Sequence, residues 1–275
     1  MRIRKNVWPR RYVDWFCFLL IGVFMPIVFI FEMIVVLPLI HPTGSFLHTF
    51  TFAIAVFLIF NITGNFVACV MVDTSVGDRL LKVPDKPFAA GWHTCVKCLK
   101  IVPPRSWHCK ICNCCILRRD HHCLFTGCCV GYRNHRYFIM FILFLFIGST
   151  YAFIYNSVFL WSVKAKIYLN WLSLLKMLCP FLMFVTGSLW SNMSLIFYNL
   201  NVLALVYSIV LLIYHLPVIL NGGVCYERTK GTYPHGNGSW HANLQEIFGK
   251  RMHLVWLSPL LQSELNDSND IWKID

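Results

Sequence analysis

The chain has 275 residues, 57% of them apolar and only 13% charged, with a mean hydropathy of +0.60. A soluble domain of this length carries about 25% charged residues, so the composition excludes a soluble globular protein and indicates an α-helical polytopic membrane protein. The net charge of +12 stands beside apolar segments, where it serves topology and contact with anionic lipid, and nucleic acid is not the expected partner.

Taken from the N-terminus, the chain opens on a basic tail, residues 1–12, with Arg2, Arg4, Lys5, Arg10 and Arg11. The apolar stretch that follows is too long for the h-region of a secretory signal and shows no small-residue cleavage site, so it reads as a retained anchor. Residues 15–39, 49–72 and 137–161 are each mostly apolar and longer than the ~20 residues needed to cross ~30 Å of hydrocarbon. The region 177–220 is long enough for one full crossing plus a partial one. The expected layout is transmembrane helices 1 and 2 in 13–72 and a cysteine-rich domain in 73–136. Transmembrane helices 3 and 4 follow in 137–220 around an intervening loop or partial span, then a tail in 221–275.

Five basic residues precede the first span and eleven lie between 73 and 136, whereas the loop at 40–48 has none. By the positive-inside rule the N-terminal tail and the 73–136 domain face the cytosol. Glu32, Asn61 and Asn65 fall inside spans; such groups either hydrogen-bond neighbouring helices or mark function. Between the last two spans, Lys164, Lys166, Lys176, Pro180 and Gly187 interrupt the apolar pattern. If this region crosses, there are five spans and a lumenal tail; if it lies in the interface or re-enters, there are four and a cytosolic tail. No internal repeat is visible.

Nine of the thirteen cysteines lie between Cys95 and Cys129. In the reducing cytosol such a cluster is metal-binding or catalytic rather than disulfide-bonded. The pattern is Cys95-x2-Cys98-x9-His108-Cys109-x2-Cys112-x2-Cys115, then His122 and Cys129. Two x2-spaced cysteine pairs form knuckles of the structural zinc kind, and eight candidate ligands fit two tetrahedral sites of three cysteines and one histidine. Gly91, Pro103, Pro104, Gly127 and Gly131 leave little expectation of regular secondary structure, so metal would supply the folding free energy.

That accounting leaves Asp120, His121 and Cys123 without a structural task, with Cys114 and Cys128 spare. A free thiol is only a few per cent ionised at neutral pH and needs a base. His121 can take the proton of Cys123, and Asp120 can orient the imidazole and stabilise its charged form. The alternative, that His121 or Cys123 is itself a zinc ligand, is left open by spacing alone.

The run from Cys95 through His108-Cys109-x2-Cys112-x2-Cys115 to Asp120-His121-His122-Cys123, followed by Cys129-Val130-Gly131 and Asn134-x3-Phe138, resembles the signature of DHHC-type protein S-acyltransferases (palmitoyltransferases), as a small divergent branch. The resemblance runs without a gap from Cys95 to Phe138 and implies two spans, a cytosolic zinc core and two more spans. It implies one Zn²⁺ on Cys95, Cys98, His108 and Cys115 and a second on Cys109, Cys112, His122 and Cys129. It further implies Cys123 as nucleophile, His121 as general base and Asp120 as orienting group. Long-chain acyl-CoA would be the co-substrate, membrane-associated proteins the acceptors, and the endoplasmic reticulum or Golgi membrane the setting, with the active site facing the cytosol. In the tail, Asn243-x3-Ile247-Phe248-Gly249 and Val255-Trp256-Leu257-x-Pro259 are similar to the family's C-terminal element and favour four crossings.

The chain departs from the pattern in three places. Leu124-Phe125 follow the nucleophile where the family has Pro-Trp, and Gly127-Cys128 replace Asn-Asn. Val224-Cys225-Tyr226-Glu227 stand for Thr-Thr-x-Glu. Arg118, Arg119, Arg133 and Arg136 are either receivers for CoA phosphates or ordinary flanking charge. Two other readings compete with the enzyme: a catalytically weak or inactive zinc-containing membrane adaptor, and a RING-like ubiquitin ligase, whose spacing would not place His108 directly before Cys109.

Overall fold

A computed structural model describes residues 2–76, 83–88, 91–229, 231, 233–236 and 238–265. Among the described residues, four helices are long and apolar enough to cross a membrane: α1 (Tyr12–Ile40), α2 (Phe46–Met71), α3 (His135–Val163) and α5 (Trp190–Leu220). Each exceeds the length that ~30 Å of hydrocarbon requires. The protein is an integral membrane protein with four such helices and a cysteine-rich domain between the second and third. No fifth helix of that length forms among the described residues. Its place is taken by α4 (Trp171–Leu178), which starts on Asn170, whose side chain accepts the Ser173 N–H at 2.9 Å, and stops before Pro180. A single helical turn at Leu182–Val185 follows, and Gly187 at φ +80° breaks the chain again.

The proline positions explain the shape of α1. Its wide π turns, Leu20–Phe24 and Glu32–Val36, come just before Pro26 and Pro38. Proline lacks an N–H and clashes with the carbonyl four residues back, and a widened turn relieves both problems.

The chain divides into two compact units. One comprises Gly22–Ile62 and Ile142–Leu212, and its apolar centre holds Phe31, Val36, Phe159, Leu160, Leu195 and Phe197. Its buried polar groups bond one another, as apolar surroundings demand. Asn156 donates to the Glu32 carboxylate and to Ala152 O, and Tyr155 Oη meets both His41 and Thr51 at 3.2 and 3.1 Å. Lys176 donates to Asn192 Oδ1 at 2.9 Å and to Thr186 O at 3.2 Å. Glu32 is therefore a helix-to-helix hydrogen-bonding group, and Lys176 is held by protein partners.

The other unit comprises Met1–Ile21, Thr63–Phe141 and Ile213–Asp275. It contains three two-stranded antiparallel hairpins: β1 (His93–Cys95) with β2 (Lys100–Val102), β3 (Trp107–Cys109) with β4 (Cys114–Ile116), and β5 (His121–Cys123) with β6 (Cys128–Val130). Two expectations are corrected here. Regular secondary structure does form, because Leu99, Asn113 and Gly127 take positive φ and let the chain reverse ahead of each second strand. An internal repeat also exists. Cys95, Cys109 and Cys123 each end the first strand of a hairpin, fourteen residues apart. The repeat escapes inspection because backbone register carries it while most side chains differ.

Two short helices close this unit, α6 (Cys225–Thr229) and α7 (Trp240–Phe248). Asn243 of α7 donates to Leu220 O at 2.8 Å. Pro259 sits so near Gly64 of α2 that a side chain there would collide with it. The tail is thereby pinned to this unit.

Candidate active site

The hairpin register dictates the sorting of ligands. Thr94 faces Ile101 across the first hairpin, His108 faces Cys115 across the second and His122 faces Cys129 across the third. Successive strand residues point to opposite faces. His108 and Cys109 therefore turn to different clusters, and so do His121 and His122.

The first cluster gathers the Cys95-x2-Cys98 knuckle with His108 and Cys115 of the next hairpin. Cys98 Sγ lies 3.3 Å from His108 Nδ1 and 3.6 Å from Cys115 Sγ. The second gathers the Cys109-x2-Cys112 knuckle with His122 and Cys129 of the third hairpin. Here Cys112 Sγ lies 3.4 Å from His122 Nδ1 and 3.7 Å from Cys129 Sγ. These spacings match the roughly 3.3–3.8 Å between ligand atoms of a tetrahedral ion with 2.0–2.3 Å bonds. The chain therefore contains two Cys/His metal-binding clusters whose donor sets and spacing fit zinc. Each would tie one hairpin to the next, which matters because isolated two-stranded hairpins are marginal at best.

Asp14 completes the second cluster, and sequence reading missed it. It is fully buried at the start of α1, where Arg11 pairs with it at 2.8 Å. His122 Nε2 donates to its Oδ2 at 3.2 Å, across 108 residues of sequence. A carboxylate behind a ligating histidine fixes the tautomer and strengthens the ligand. Asp14→Asn is expected to weaken metal at this cluster by roughly 10–100-fold and leave the first cluster unchanged, as read by metal retained per chain during chelator titration.

The third hairpin has a knuckle of the same shape without the second ligand. Thr126 stands where Cys98 and Cys112 stand in the other two. Cys112 N–H donates to Cys109 Sγ at 3.4 Å; the Thr126 backbone and hydroxyl bond the Cys123 sulfur in the same way. Burial disfavours the Cys123 thiolate, but His121 and Thr126 outweigh it and pull the thiol below its ordinary range. Thr126→Val is expected to slow any reaction of the Cys123 thiolate by roughly ten- to 150-fold, the value of about 1.5–3 kcal/mol for one hydrogen bond to a charged group. Thr126→Ser should restore it, with the rate of iodoacetamide labelling at Cys123 as the readout.

Around Cys123 the site is built from distant elements. His121 Nδ1 lies 2.7 Å from Asp120 Oδ2. Burial opposes a charge on His121, yet its bonds to Asp120, Cys123 and Cys225 prevail and hold it well above its ordinary value. Burial also works against the Asp120 carboxylate, and the neighbouring histidines nonetheless keep it well below the usual range. Cys225 donates to Asp120 twice, from its backbone N–H at 2.8 Å and from its thiol at 3.1 Å. Burial, with Asp120 alongside, pushes the Cys225 thiol up to about 11, consistent with a proton donor. Phe138 packs edge-on against both His121 and His215, with ring centroids 4.9 and 5.0 Å away. Asn134 donates to Cys69 O and Cys129 O, both at 3.0 Å, which anchors the third hairpin to α2.

Cys225 and His215 were not singled out as site residues. The Val-Cys-x-Glu departure brings Cys225 to Asp120, a thiol standing where the pattern has a hydroxyl. His215 carried its own signal, a histidine inside an apolar span. Glu227 of the same element pairs with Arg105 at 2.8 Å.

Other expected roles change. Arg118 is buried and pairs with Glu246 at 2.9 Å, and Arg136 is buried, lies over Tyr137 and donates to Leu261 O at 3.1 Å. Burial and protein partners remove both from the set of phosphate receivers. Arg119 lies against Cys129 and Cys109. Spare Cys128 donates to Thr126 Oγ1 at 3.4 Å and Cys69 O at 3.7 Å. Leu124-Phe125 sit in the hairpin turn, where Gly127 N–H reaches Leu124 O at 3.3 Å. The hairpin register and Gly127 at φ +60° hold that turn without proline.

A family model described as DHHC palmitoyltransferase matches residues 90–232. The chain is 33% identical over 234 residues to the protein named "Probable palmitoyltransferase ZDHHC24" of Homo sapiens, covering 82% of this chain and 78% of that one. Proteins of the same name are 32% identical over 229 residues in Mus musculus, with 82% and 78% covered, and 33% identical over 212 residues in Danio rerio, with 76% and 70% covered.

Proposed function

The chain belongs to the DHHC palmitoyltransferase family, and from that premise we propose that it is a protein S-acyltransferase working through an acyl-Cys123 intermediate. The observation that carries this reading is the coupled set Asp120, His121 and Cys123, in which a buried carboxylate orients the base and the base bonds the thiol.

His121 takes the proton of Cys123, and the thiolate attacks the thioester carbonyl of long-chain acyl-CoA. The carbonyl carbon gains a bond to Cys123 Sγ and loses its bond to the CoA sulfur, which leaves with the proton. In the second half an acceptor cysteine gives its proton to His121 and attacks the acyl-Cys123 carbonyl, so Cys123 is released. Asp120 keeps the imidazole in one tautomer and balances its charge. Two zinc ions, held by Cys95, Cys98, His108 and Cys115 and by Cys109, Cys112, His122 and Cys129, supply rigidity, not chemistry.

The palmitoyl chain lies in hydrocarbon while CoA stays in water, and burial contributes about 0.8 kcal/mol per CH₂. Segment 73–136 and the tail from residue 221 face the cytosol at an endoplasmic reticulum or Golgi membrane, and membrane-associated proteins are the acceptors. Basic residues beside the spans support that orientation.

The test is labelling of the purified protein with an acyl-CoA analogue, followed by hydroxylamine. A hydroxylamine-labile label supports the transferase; no label on protein that retains both zinc ions favours the membrane adaptor. Orientation is checked by the sequons at Asn192, Asn237 and Asn266. Asn237 and Asn266 lie outside the described residues, and the cytosolic tail requires both to stay bare in microsomes. Asn192 is buried, donating to Met183 O and Thr186 O, and is expected to stay bare as well.

A further inference from the structure

Besides the two zinc-type clusters, Asp120, His121, His215 and Cys225 each bring one ligand atom to within 4.8 Å of all the others. From Asp120 Oδ2 the distances are 2.7 Å to His121 Nδ1, 3.1 Å to Cys225 Sγ and 3.7 Å to His215 Nδ1. Cys225 Sγ lies 3.8 Å from His215 Nδ1. The two structural clusters show 3.3–3.7 Å between their own ligand atoms; these pairs of the third group span 2.7–3.8 Å around that range, the shortest being the Asp120–His121 hydrogen bond that an ion would replace. We propose that Asp120, His121, His215 and Cys225 form a third, reversible binding site for a zinc-class divalent ion, and that its occupancy shuts the catalytic centre off.

Charge supports the assignment. A carboxylate, a thiolate and two neutral imidazoles balance a divalent cation completely, which is what a buried ion needs. The donor types select among metals: thiolate and imidazole suit zinc and its neighbours, whereas Mg²⁺ and Ca²⁺ take oxygen. There is also a way in, because the His121 side chain is 25% exposed while those of Asp120 and His215 are buried. Two ligands come from the Asp120-His121 run, one from α5 and one from α6. The site therefore exists only when the end of α5 and the start of the tail close over the third hairpin.

The consequence for activity rests on the acyl-transfer reading. Without the third ion, Cys225 donates to Asp120, which orients His121. With it, the His121 nitrogen and the Asp120 oxygen are held by metal, and the proton of Cys123 has no acceptor. The ion enters as the Cys225 thiol and any protonated imidazole release their protons. It differs from the two structural ions in having only one thiolate, so a mild chelator should remove it first.

The experiment takes the full-length protein in detergent with its two structural zinc ions in place, adds Co²⁺ or Zn²⁺, and counts metal per chain after desalting. Wild type is expected to hold three ions and to show thiolate-to-Co²⁺ absorption from the third. His215→Ala and Cys225→Thr should each hold two, a count that also certifies that the structural clusters have folded. A count of two for wild type, or three for both variants, overturns the proposal. Self-acylation of Cys123 is read separately: loading the third ion should lower it by roughly 10²-fold, the value of a lost general base, and a mild chelator should restore it. Unchanged self-acylation with three ions bound overturns the regulatory part. Metal uptake without any acylation, loaded or not, would sink the transferase reading and leave the site standing.

Discussion

Cys123→Ser is expected to abolish the hydroxylamine-labile acyl label, and His121→Ala to lower self-acylation by roughly 10²–10⁴-fold while both zinc ions stay bound. The two variants separate chemistry from architecture. Cys123 lies in the third knuckle, which has Thr126 in place of a second cysteine, so its sulfur is committed to no cluster among the described residues. His121 shares the face of β5 with Cys123, and His122 alone turns toward the second cluster. Serine at 123 keeps the shape but loses the thiolate, the species that attacks a thioester. Alanine at 121 removes the proton acceptor and leaves Asp120 bonded to Cys225. A label that survives in Cys123→Ser would place the acyl group on another cysteine. A zinc ion lost from His121→Ala would make that histidine a ligand and remove it from the chemistry.

The second large effect lies in the metal clusters. Cys109→Ser is expected to reduce zinc from two ions per chain to one, loosen the third hairpin and eliminate self-acylation. Cys109 begins the knuckle that joins the second hairpin to the third, through Cys112, His122 and Cys129. Structural zinc contributes about 10–16 kcal/mol of apparent binding free energy at neutral pH, more than a hairpin of two three-residue strands can replace with backbone hydrogen bonds. Cys114, directly across the strand pair from Cys109, is the control, since it belongs to neither cluster and Cys114→Ser should keep both ions. Metal per chain, limited proteolysis between residues 120 and 130, and self-acylation form the readout. Two ions in Cys109→Ser would remove Cys109 from the ligand set.

Much of the architecture was legible in the residues. The membrane class and the first three spans follow from hydropathy, a property of each segment by itself, whereas hydropathy left the region 177–220 open between one crossing and two. The x2 knuckles were legible because metal geometry restricts spacing within a short stretch, whereas the choice between His121 and His122 rested on the family resemblance. The hairpins and their repeat were not legible, because glycine and proline read as breakers while Leu99 and Asn113 take positive φ without announcing it. Alternation of strand faces, once the hairpins are known, explains why His122 turns to the second cluster and His121 to Asp120.

By itself the sequence determined the membrane class, eight candidate metal ligands and the Asp120–Cys123 run, all of which depend on neighbours along the chain, and it left four or five crossings open. Only the tertiary structure decided what surrounds that run. Asp14 reaches His122 across 108 residues and Cys225 reaches Asp120 across 105, and His215 arrives from the end of the last span. Such contacts depend on where the helices return the chain, and local spacing carries no record of it. That return places the Cys225 thiol and the His215 imidazole beside Asp120 and His121.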